Sequence, residues 1–215
     1  MSSAADSEKR TAAEAAAELV CDGMLVGLGT GSTVAFLLPA LAERGLQIRC
    51  VATSIVTETA GRELGLAVEP FDSLERLDIA IDGADQISAD GWLVKGGGGA
   101  HTREKVVAAA ADRFIVIADS SKPVERIEAP IPLELLRFGL AATLRELGEV
   151  EPREGAAPSP DGGVIADYRG EVGDPAELAA RLAAAPGVVD HGLFEPALVA
   201  EVIVARGEEI ERRPS

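Results

Sequence analysis

The feature that most constrains the fold is the alternation of short apolar runs with helical segments up to about Lys122. Strands are predicted at five mostly apolar segments, Met24–Leu28, Gln47–Ala52, Ala67–Pro70, Leu77–Ile81 and Phe114–Ala118. Helices are predicted at 8–21, at Val34–Arg44, in a segment that ends near Leu64, and at Thr102–Asp112. Strands that are apolar along their whole length are buried on both faces, so this alternation predicts an α/β fold with a mostly parallel sheet between layers of helices.

The order of elements changes beyond Lys122, after a connection rich in proline. Residues 132–194 follow the order β-α-β-β-α-β, which is typical of a ferredoxin-like α+β arrangement. The last apolar run, Leu198–Ala205, is predicted to rejoin the first sheet. We therefore predict two domains, with residues 1–128 and 196–215 in the larger one and residues 129–195 in the smaller one.

Composition excludes several classes of function. The net charge is −16, and such a surface repels nucleic acid and anionic lipid, so neither is an expected partner. No apolar run reaches the ~20 residues of a membrane span, and the polar N-terminus is unlike a signal peptide, which predicts a cytoplasmic protein. Cys21 and Cys50 are expected to be buried and reduced. No histidine lies near either cysteine, so no metal site is predicted.

The first chemical motif is the glycine-rich turn Gly27–Thr33, between a predicted strand and a predicted helix. Free N–H groups at a helix start attract anions, and glycine lets an anion come close. The turn matches neither the dinucleotide fingerprint nor a nucleotide P-loop. Its three hydroxyl groups suit a compact phosphate monoester, although a turn made only for packing is an equal alternative on this motif alone.

The second motif, Asp82–Asp85, ends a buried strand. Ligands of open parallel sheets lie beyond the carboxyl ends of the strands. Two carboxylates there can accept hydrogen bonds from sugar hydroxyls or move protons. A helix cap or an Asx turn explains Asp82 equally well.

The third motif runs from Lys95 through four consecutive glycines to Glu104. Four glycines carry a high entropic cost and indicate backbone that approaches a ligand or moves. Glu104 falls in the first turn of the next helix, where an ionised carboxylate is favoured and can act as a base. Lys95 is placed to neutralise an oxyanion. His101 is interpreted as a loop or cap residue with no evident partner.

Lysine is rare in this chain, which has four lysines among its 20 basic residues. The retained lysines are therefore candidates for positions where a compact ammonium is needed, with random retention as the alternative. Three of them lie in the predicted N-terminal helix (Lys9) or at strand ends with polar motifs (Lys95 and Lys122), and Lys105 directly follows Glu104. This agreement favours one shared site.

Together these segments resemble ribose-5-phosphate isomerase, type A. The matching stretches, in family order, are Val26–Val34, Ile81–Ile87, Lys95–Ala108, Ile117–Lys122 and Pro186–Phe194. The resemblance implies a Rossmann-like catalytic domain with a smaller ferredoxin-like lid domain, and assembly as a homodimer or homotetramer.

The resemblance also implies an activity, the interconversion of D-ribose 5-phosphate and D-ribulose 5-phosphate in the non-oxidative pentose phosphate pathway, without metal or organic cofactor. Glu104 would be the base that moves a proton between C2 and C1 through an enediolate, with Asp82 and Lys95 assisting ring opening and stabilising the oxyanion. The implied substrate-binding residues are Lys9, Thr30, Gly31, Ser32, Thr33, Asp82, Gly83, Ala84, Asp85, Lys95, Gly96, Gly97, Gly98 and Lys122.

Three departures from the family pattern and three other functions stay open from the sequence. Gln86 stands where the family usually has glutamate, His101 where an apolar residue is usual, and Ser159–Gly163 replaces a more polar turn in the lid. The alternatives are a sugar-phosphate-binding regulatory domain, an amino-sugar phosphate deaminase and a coenzyme A transferase of related fold. A regulatory protein is expected to carry a helix-turn-helix segment and a basic face, and neither is evident here.

Overall fold

The structure is a computed structural model that describes residues 3–214. Its helices are α1 (Ala4–Ala17), α2 (Val34–Glu43), α3 (Ile55–Glu63), α4 (His101–Ala110), α5 (Leu140–Leu147) and α6 (Pro175–Ala184). Its strands are β1 (Leu25–Leu28), β2 (Arg49–Ala52), β3 (Ala67–Val68), β4 (Ile79–Gly83), β5 (Gln86–Ser88), β6 (Leu93–Val94), β7 (Phe114–Asp119), β8 (Pro123–Val124), β9 (Ile131–Leu135), β10 (Val150–Pro152), β11 (Val164–Tyr168), β12 (Val188–His191), β13 (Leu193–Phe194), β14 (Glu201–Arg206) and β15 (Glu209–Pro214).

The described chain divides into two compact units. Unit 1 comprises the described chain up to Ala84, the segment Arg103–Lys122 and the described chain from Ala197 onward. Unit 2 comprises Asp85–Thr102 and Pro123–Pro196. These units are groups of mutually contacting residues, and the domain bounds predicted from the sequence stay a prediction.

Unit 1 is built on a seven-stranded sheet in the order β15-β14-β7-β4-β1-β2-β3. Every neighbouring pair is parallel except the β14–β15 hairpin. The mostly parallel sheet is therefore confirmed. The last apolar run does rejoin it, because β14 pairs with β7 in parallel register.

Helices cover both faces of this sheet. Side chains of α1 and α2 form one buried core with Val26, Leu28, Ile79 and Ile81 of β1 and β4. The alternate residue Gly27 faces the other way, and a Cβ built there would lie 2.5 Å from Cγ1 of Val107 in α4. Since successive strand residues point to opposite faces, α4 packs on the face opposite to α1 and α2.

The strand order places a topological switch point between β1 and β4. From β1 the chain moves outward to β2 and β3, and it then returns to the other side of β1 as β4. Ligands of open α/β sheets bind in the crevice at such a point, beyond the carboxyl ends of the strands. Gly29–Thr33 and Asp82 lie at those ends.

Unit 2 has an antiparallel four-stranded sheet in the order β10-β11-β9-β12. With α5 and α6 this gives the predicted order β-α-β-β-α-β, and the ferredoxin-like arrangement is confirmed. Its core includes Leu133 and Leu135 of β9 with Leu178 and Leu182 of α6. A second small sheet in the order β13-β6-β5-β8 was not predicted.

Two details of the sequence predictions are wrong. α1 spans Ala4–Ala17 instead of 8–21, because a capping box starts it early: the Ser3 hydroxyl accepts a hydrogen bond from Asp6 N, and Asp6 accepts one from Ser3 N. Cys21 is exposed, whereas Cys50 is buried as expected. Burial raises the pKa of the Cys50 thiol to about 12.

Within residues 3–214, no helix has the length and apolar character needed to cross a bilayer.

Candidate active site

The turn after β1 is held from two sides. Thr30 N donates a hydrogen bond to Oδ1 of Asp82 (3.1 Å), and its hydroxyl lies 2.8 Å from the hydroxyl of Thr53, which follows β2. The Thr57 hydroxyl in α3 donates to the carbonyl of Gly29 (2.9 Å). The segment Gly31-Ser32 is exposed at the start of α2, and Gly31 adopts a φ of 123°. This geometry leaves the helix start open to an anion.

Asp82 is a buried carboxylate with a fixed orientation. It is 3% exposed, and its Oδ1 accepts hydrogen bonds from Thr30 N (3.1 Å) and Gly83 N (2.7 Å). A Cβ built at Gly29 would lie 1.9 Å from Cγ of Asp82, so only glycine lets the turn pass this close. The orientation of this strand-end carboxylate thus depends on the glycine that directly follows β1.

We expect Gly29→Ala to displace Asp82. In the isomerisation that the sequence resemblance implies, kcat/KM should then fall by about 10²-fold, because small misplacements of reacting groups have effects of that size. Gly61→Ala in α3 is the matched control, since a Cβ there would meet its nearest atom, Cγ2 of Val68, at 3.0 Å. Steady-state kinetics and thermal melting of both variants check the prediction. Normal kcat/KM in Gly29→Ala contradicts the inference that the absence of a side chain at residue 29 is needed to orient Asp82.

Glu104 is a second buried carboxylate of unit 1. It is 4% exposed and lies in the first turn of α4. The partial positive charge of a helix N-terminus favours the ionised carboxylate, which is the form that accepts a proton. Val107, one turn further along α4, is buried and fixes the helix on the sheet.

Helix α1 is anchored through Glu8, which the sequence analysis did not single out. Glu8 Oε2 accepts hydrogen bonds from N (2.9 Å) and Oγ (2.6 Å) of Ser120, and Oε1 accepts one from Gly207 N (2.8 Å). These bonds, the Ser120 hydroxyl first, lower the pKa of Glu8. Glu8 therefore joins the helix that carries Lys9 to the turn that carries Lys122.

We expect Glu8→Gln to reduce the melting temperature near pH 7 and to have less effect in acid. The folded-state pKa lies below the ordinary value of 4.5, so the carboxylate stabilises the fold above that pH and loses this contribution as pH falls through the folded-state pKa. Melting curves from pH 7 to pH 3 measure the difference from the unaltered chain. Glu14→Gln, on an exposed position of α1, is the control. A difference that stays constant over this range contradicts the assignment.

Lys95 opens the glycine run in unit 2. It is 2% exposed, its N–H donates to the carbonyl of Gly192 (2.8 Å), and its Nζ lies 5.5 Å from the centroid of the Phe194 ring. A Cβ at Gly192 would lie 2.1 Å from the Lys95 carbonyl oxygen. The segment that bears Lys95 is thus closely packed against the strand-end residues 192–194.

The glycine run is held by a carboxylate of the same unit. Gly97 N donates to Oδ2 of Asp85 (2.8 Å), and Gly96 has a φ of 104° that only glycine adopts readily. His101, expected in a loop or at a cap, is the first residue of α4 and is fully buried. A Cβ at Gly96 would lie 2.6 Å from its Nδ1, so the His101 ring packs closely against the glycine run.

Glu134, inside β9, was missed by the sequence analysis. It is 2% exposed and accepts hydrogen bonds from the hydroxyls of Thr102 (2.5 Å) and Ser159. Ser159 in turn accepts from Gly163 N (2.9 Å). Glu134 thereby ties the start of α4, two residues before Glu104, to the Pro/Gly turn that follows β10.

Comparison with known proteins identifies the family. The sequence profile described as "Ribose 5-phosphate isomerase A (phosphoriboisomerase A)" matches residues 49–209. This chain belongs to the ribose 5-phosphate isomerase A family. Ribose-5-phosphate isomerase A of Caulobacter sp. (strain K31) is 46% identical over 204 residues, which cover 88% of this chain and 90% of that protein.

Solved structures agree with the family assignment. Ribose 5 phosphate isomerase A from Neisseria gonorrhoeae has a TM-score of 0.92 at 32% identity, over 97% of this chain and 96% of that one. A D-ribose-5-phosphate isomerase in complex with phospho-erythronic acid has a TM-score of 0.92 at 30% identity, over 98% of this chain and 99% of that one. The resemblance inferred from the motifs is therefore confirmed, and so is the mixed α/β fold.

The predicted site residues of this family member fall in both units. Unit 1 contains Lys9, Thr30, Gly31, Ser32, Thr33, Asp82, Gly83, Ala84, Glu104 and Lys122. Unit 2 contains Asp85, Lys95, Gly96, Gly97 and Gly98. Within unit 1, the hydrogen bond from Thr30 to Asp82 brings two of the predicted motifs together. Within unit 2, the bond from Gly97 to Asp85 joins two others.

The departure from the family pattern at Gln86 has a local reason. Its side-chain Nε2 donates to the carbonyl of Glu128 (2.7 Å), and its Oε1 accepts from Glu128 N (2.9 Å). An ionised glutamate has no donor for that carbonyl. Gln86 therefore holds β5 to the segment before β9 with both ends of its amide.

Proposed function

We propose that this chain interconverts D-ribose 5-phosphate and D-ribulose 5-phosphate, with Glu104 as the catalytic base. The observation that carries the proposal is a buried carboxylate in the first turn of α4, directly after the Lys95–Gly99 run, in a member of this isomerase family. An aldose–ketose shift needs one base near C1 and C2, donors for the enediolate oxygens and an anchor for the phosphate.

The reaction moves two protons and no net charge. Glu104 removes the proton from C2 of the open-chain aldose, and the electron pair forms the enediolate with negative charge on O1. A proton passes from O2 to O1, and Glu104 returns its proton to C1, which leaves a carbonyl at C2. The carboxylate is regenerated, so no external acid or oxidant is consumed.

Lys95 and Asp82 are proposed to assist these steps. A buried ammonium group stabilises the developing oxyanion more strongly than an exposed one, because water does not screen it. Asp82 is oriented by Thr30 N and Gly83 N, and we assign it to ring opening of the cyclic sugar. Gly83, Ala84, Asp85, Gly96, Gly97 and Gly98 are proposed to line the part of the site that holds the sugar.

The phosphate group is proposed to bind at Thr30, Gly31, Ser32 and Thr33. Support comes from the exposed Gly31-Ser32 segment at the start of α2, whose first turn contains no acidic residue. Lys9 and Lys122 are both half-buried and would supply positive charge. Binding energy from the phosphate, which does not react, can then position C1 and C2 at the base.

The oligomeric state, cellular location and domain bounds of the protein are also proposals. Following the family resemblance, we propose a homodimer or homotetramer that acts in the cytoplasm, with a catalytic domain of residues 1–128 and 196–215 and a lid domain of residues 129–195. Light scattering of the purified chain gives its mass in solution, and a monomer at micromolar concentration contradicts the assembly.

The proposed function is tested by converting ribose 5-phosphate to ribulose 5-phosphate with a chelator present. We expect conversion that the chelator does not change. Absence of conversion contradicts the isomerase, and tight ribose 5-phosphate binding without turnover then indicates a regulatory domain. Loss of activity in the chelator contradicts a mechanism based only on protein side chains.

A further inference from the structure

Arg153 donates two hydrogen bonds to the glycine run. It follows β10, and its Nη1 donates to the carbonyls of Gly96 (3.1 Å) and Gly97 (2.9 Å). Its Nε and Nη2 donate to the two oxygens of Asp167 in β11, at 3.0 Å and 2.6 Å. All four residues belong to unit 2.

Asp167 fixes the guanidinium plane. The pair is bidentate, and the Asp167 side chain is 6% exposed against 25% for Arg153. Two parallel bonds to one carboxylate hold a planar group in one orientation, which a lysine ammonium cannot reproduce. Hydrogen bonding to Asp167 raises the pKa of Arg153, so the guanidinium stays charged.

The glycine run needs such a constraint because glycine residues can adopt a wide range of backbone dihedral angles. Glycine loses more conformational freedom on folding than any other residue, and Gly96 already has a φ of 104°. Arg153 holds the carbonyls of Gly96 and Gly97, while Asp85 accepts from Gly97 N (2.8 Å). The peptide between Gly96 and Gly97 is therefore held through its carbonyl and its N–H at once.

We propose that Arg153, oriented by Asp167, is a positioning residue for the isomerisation, which fixes the backbone of Gly96 and Gly97 for the substrate. This inference rests on the proposed function of the Lys95–Gly98 segment. Arg153 acts through the glycine carbonyls and does not touch the substrate. The absence of side chains in the glycine run then lets a ligand come close to the backbone. The Arg153 guanidinium restrains that backbone at Gly96 and Gly97.

The test compares Arg153→Ala and Arg153→Lys with Arg169→Ala. Arg169 is an exposed arginine whose Nε lies 2.9 Å from Glu151, in the same unit, and it serves as the matched control. We expect kcat/KM for ribose 5-phosphate to fall about 10²-fold in both Arg153 variants, as for a small misplacement of binding groups. The control is expected to stay within about twofold of the unaltered chain, as for an exposed ion pair.

Chemical rescue separates positioning from a merely structural role. Guanidinium at non-denaturing concentration is expected to restore part of the activity of Arg153→Ala, and of neither Arg153→Lys nor Glu104→Gln. Full activity in Arg153→Lys overturns the proposal, because an ammonium group would then suffice. A loss in Arg153→Ala that only follows the unfolded fraction and does not respond to guanidinium also overturns it.

Hydrogen exchange provides a readout that does not depend on turnover. We expect faster deuterium uptake in peptides containing residues 95–99 of Arg153→Ala than in the unaltered chain, and no change in Arg169→Ala. Unchanged uptake overturns the positioning role, whatever the activity. An unaltered chain that does not convert ribose 5-phosphate contradicts the proposed function instead, so the two failures are distinguishable.

Discussion

Glu104→Gln is expected to lower kcat for ribose 5-phosphate isomerisation by about 10²–10⁴-fold, the range for loss of a general base. Glutamine has the same shape as glutamate but cannot take a proton from C2. The residue lies in the first turn of α4 and is 4% exposed, so an uncharged amide of equal volume is tolerated there. Melting temperature and KM should therefore change little.

The control for this variant is Glu177→Gln, because Glu177 occupies the first turn of α6. It tests the cost of losing a first-turn carboxylate that has no chemical role, and we expect normal kcat. Binding of ribose 5-phosphate, the proposed substrate, should persist in Glu104→Gln. Normal turnover in Glu104→Gln removes Glu104 from the mechanism.

Lys95→Arg is expected to lower kcat by about 10²–10³-fold, the size typical of losing one oxyanion-stabilising donor. Lys95 is 2% exposed, with its Nζ 5.5 Å from the Phe194 ring centroid. A guanidinium is planar and larger than an ammonium, and its donors point along a fork. Arginine at position 95 would keep the positive charge, but the larger group would hold that charge away from the place where the oxyanion develops.

Lys105→Arg is the control for this substitution. Lys105 follows the proposed base in α4 and is half-buried, and it is not assigned to the site. Steady-state kinetics of both variants, with circular dichroism to verify folding, give the comparison. Equal kcat in Lys95→Arg and the unaltered chain contradicts the role of Lys95 as a point charge.

The central sheet could be predicted from sequence because its strands are buried on both faces. β1, β4 and β7 are apolar up to the aspartates near the ends of β4 and β7, and such strands are typical of parallel sheets between two layers of helices. The last strand, β15, was missed because it is polar and mostly exposed, as is common at a sheet edge. β6 and β8 were also missed, and they have only two residues each, which is too short to show any periodicity.

The bounds of α1 were predicted wrongly for a different reason. Its capping box, Ser3 with Asp6, is a signal that the sequence contains, but the predicted helix rested only on the alanine- and glutamate-rich composition of residues 8–21. The end at Ala17 has no glycine or proline to mark it, and the turn that follows uses hydrogen bonds from Leu19 N and Val20 N to the helix carbonyls. Composition alone therefore shifted the predicted helix by about one turn.

Candidate residues beside glycine turns could be singled out from the sequence, whereas the residues that hold those turns in place could not. Asp82 and Glu104 stand beside glycine turns that are visible in the sequence. Arg153 meets Gly96 across 57 positions of the chain, and Glu134 meets Thr102 across 32. Such pairs arise only when β9, β10 and β11 are folded together, and no local pattern marks them.

The central claim, proton transfer by a carboxylate through an enediolate, is tested most directly by isomerisation in D2O followed by NMR. After many turnovers we expect one C1 hydrogen of ribulose 5-phosphate to be replaced by deuterium, because the proton held by Glu104 exchanges with solvent between removal and return. In Glu104→Gln this exchange should slow together with isomerisation. Product in which the hydrogen originally bound to C2 is still fully retained at C1 after many turnovers would contradict the account, since that result is expected of a direct hydride shift from C2 to C1.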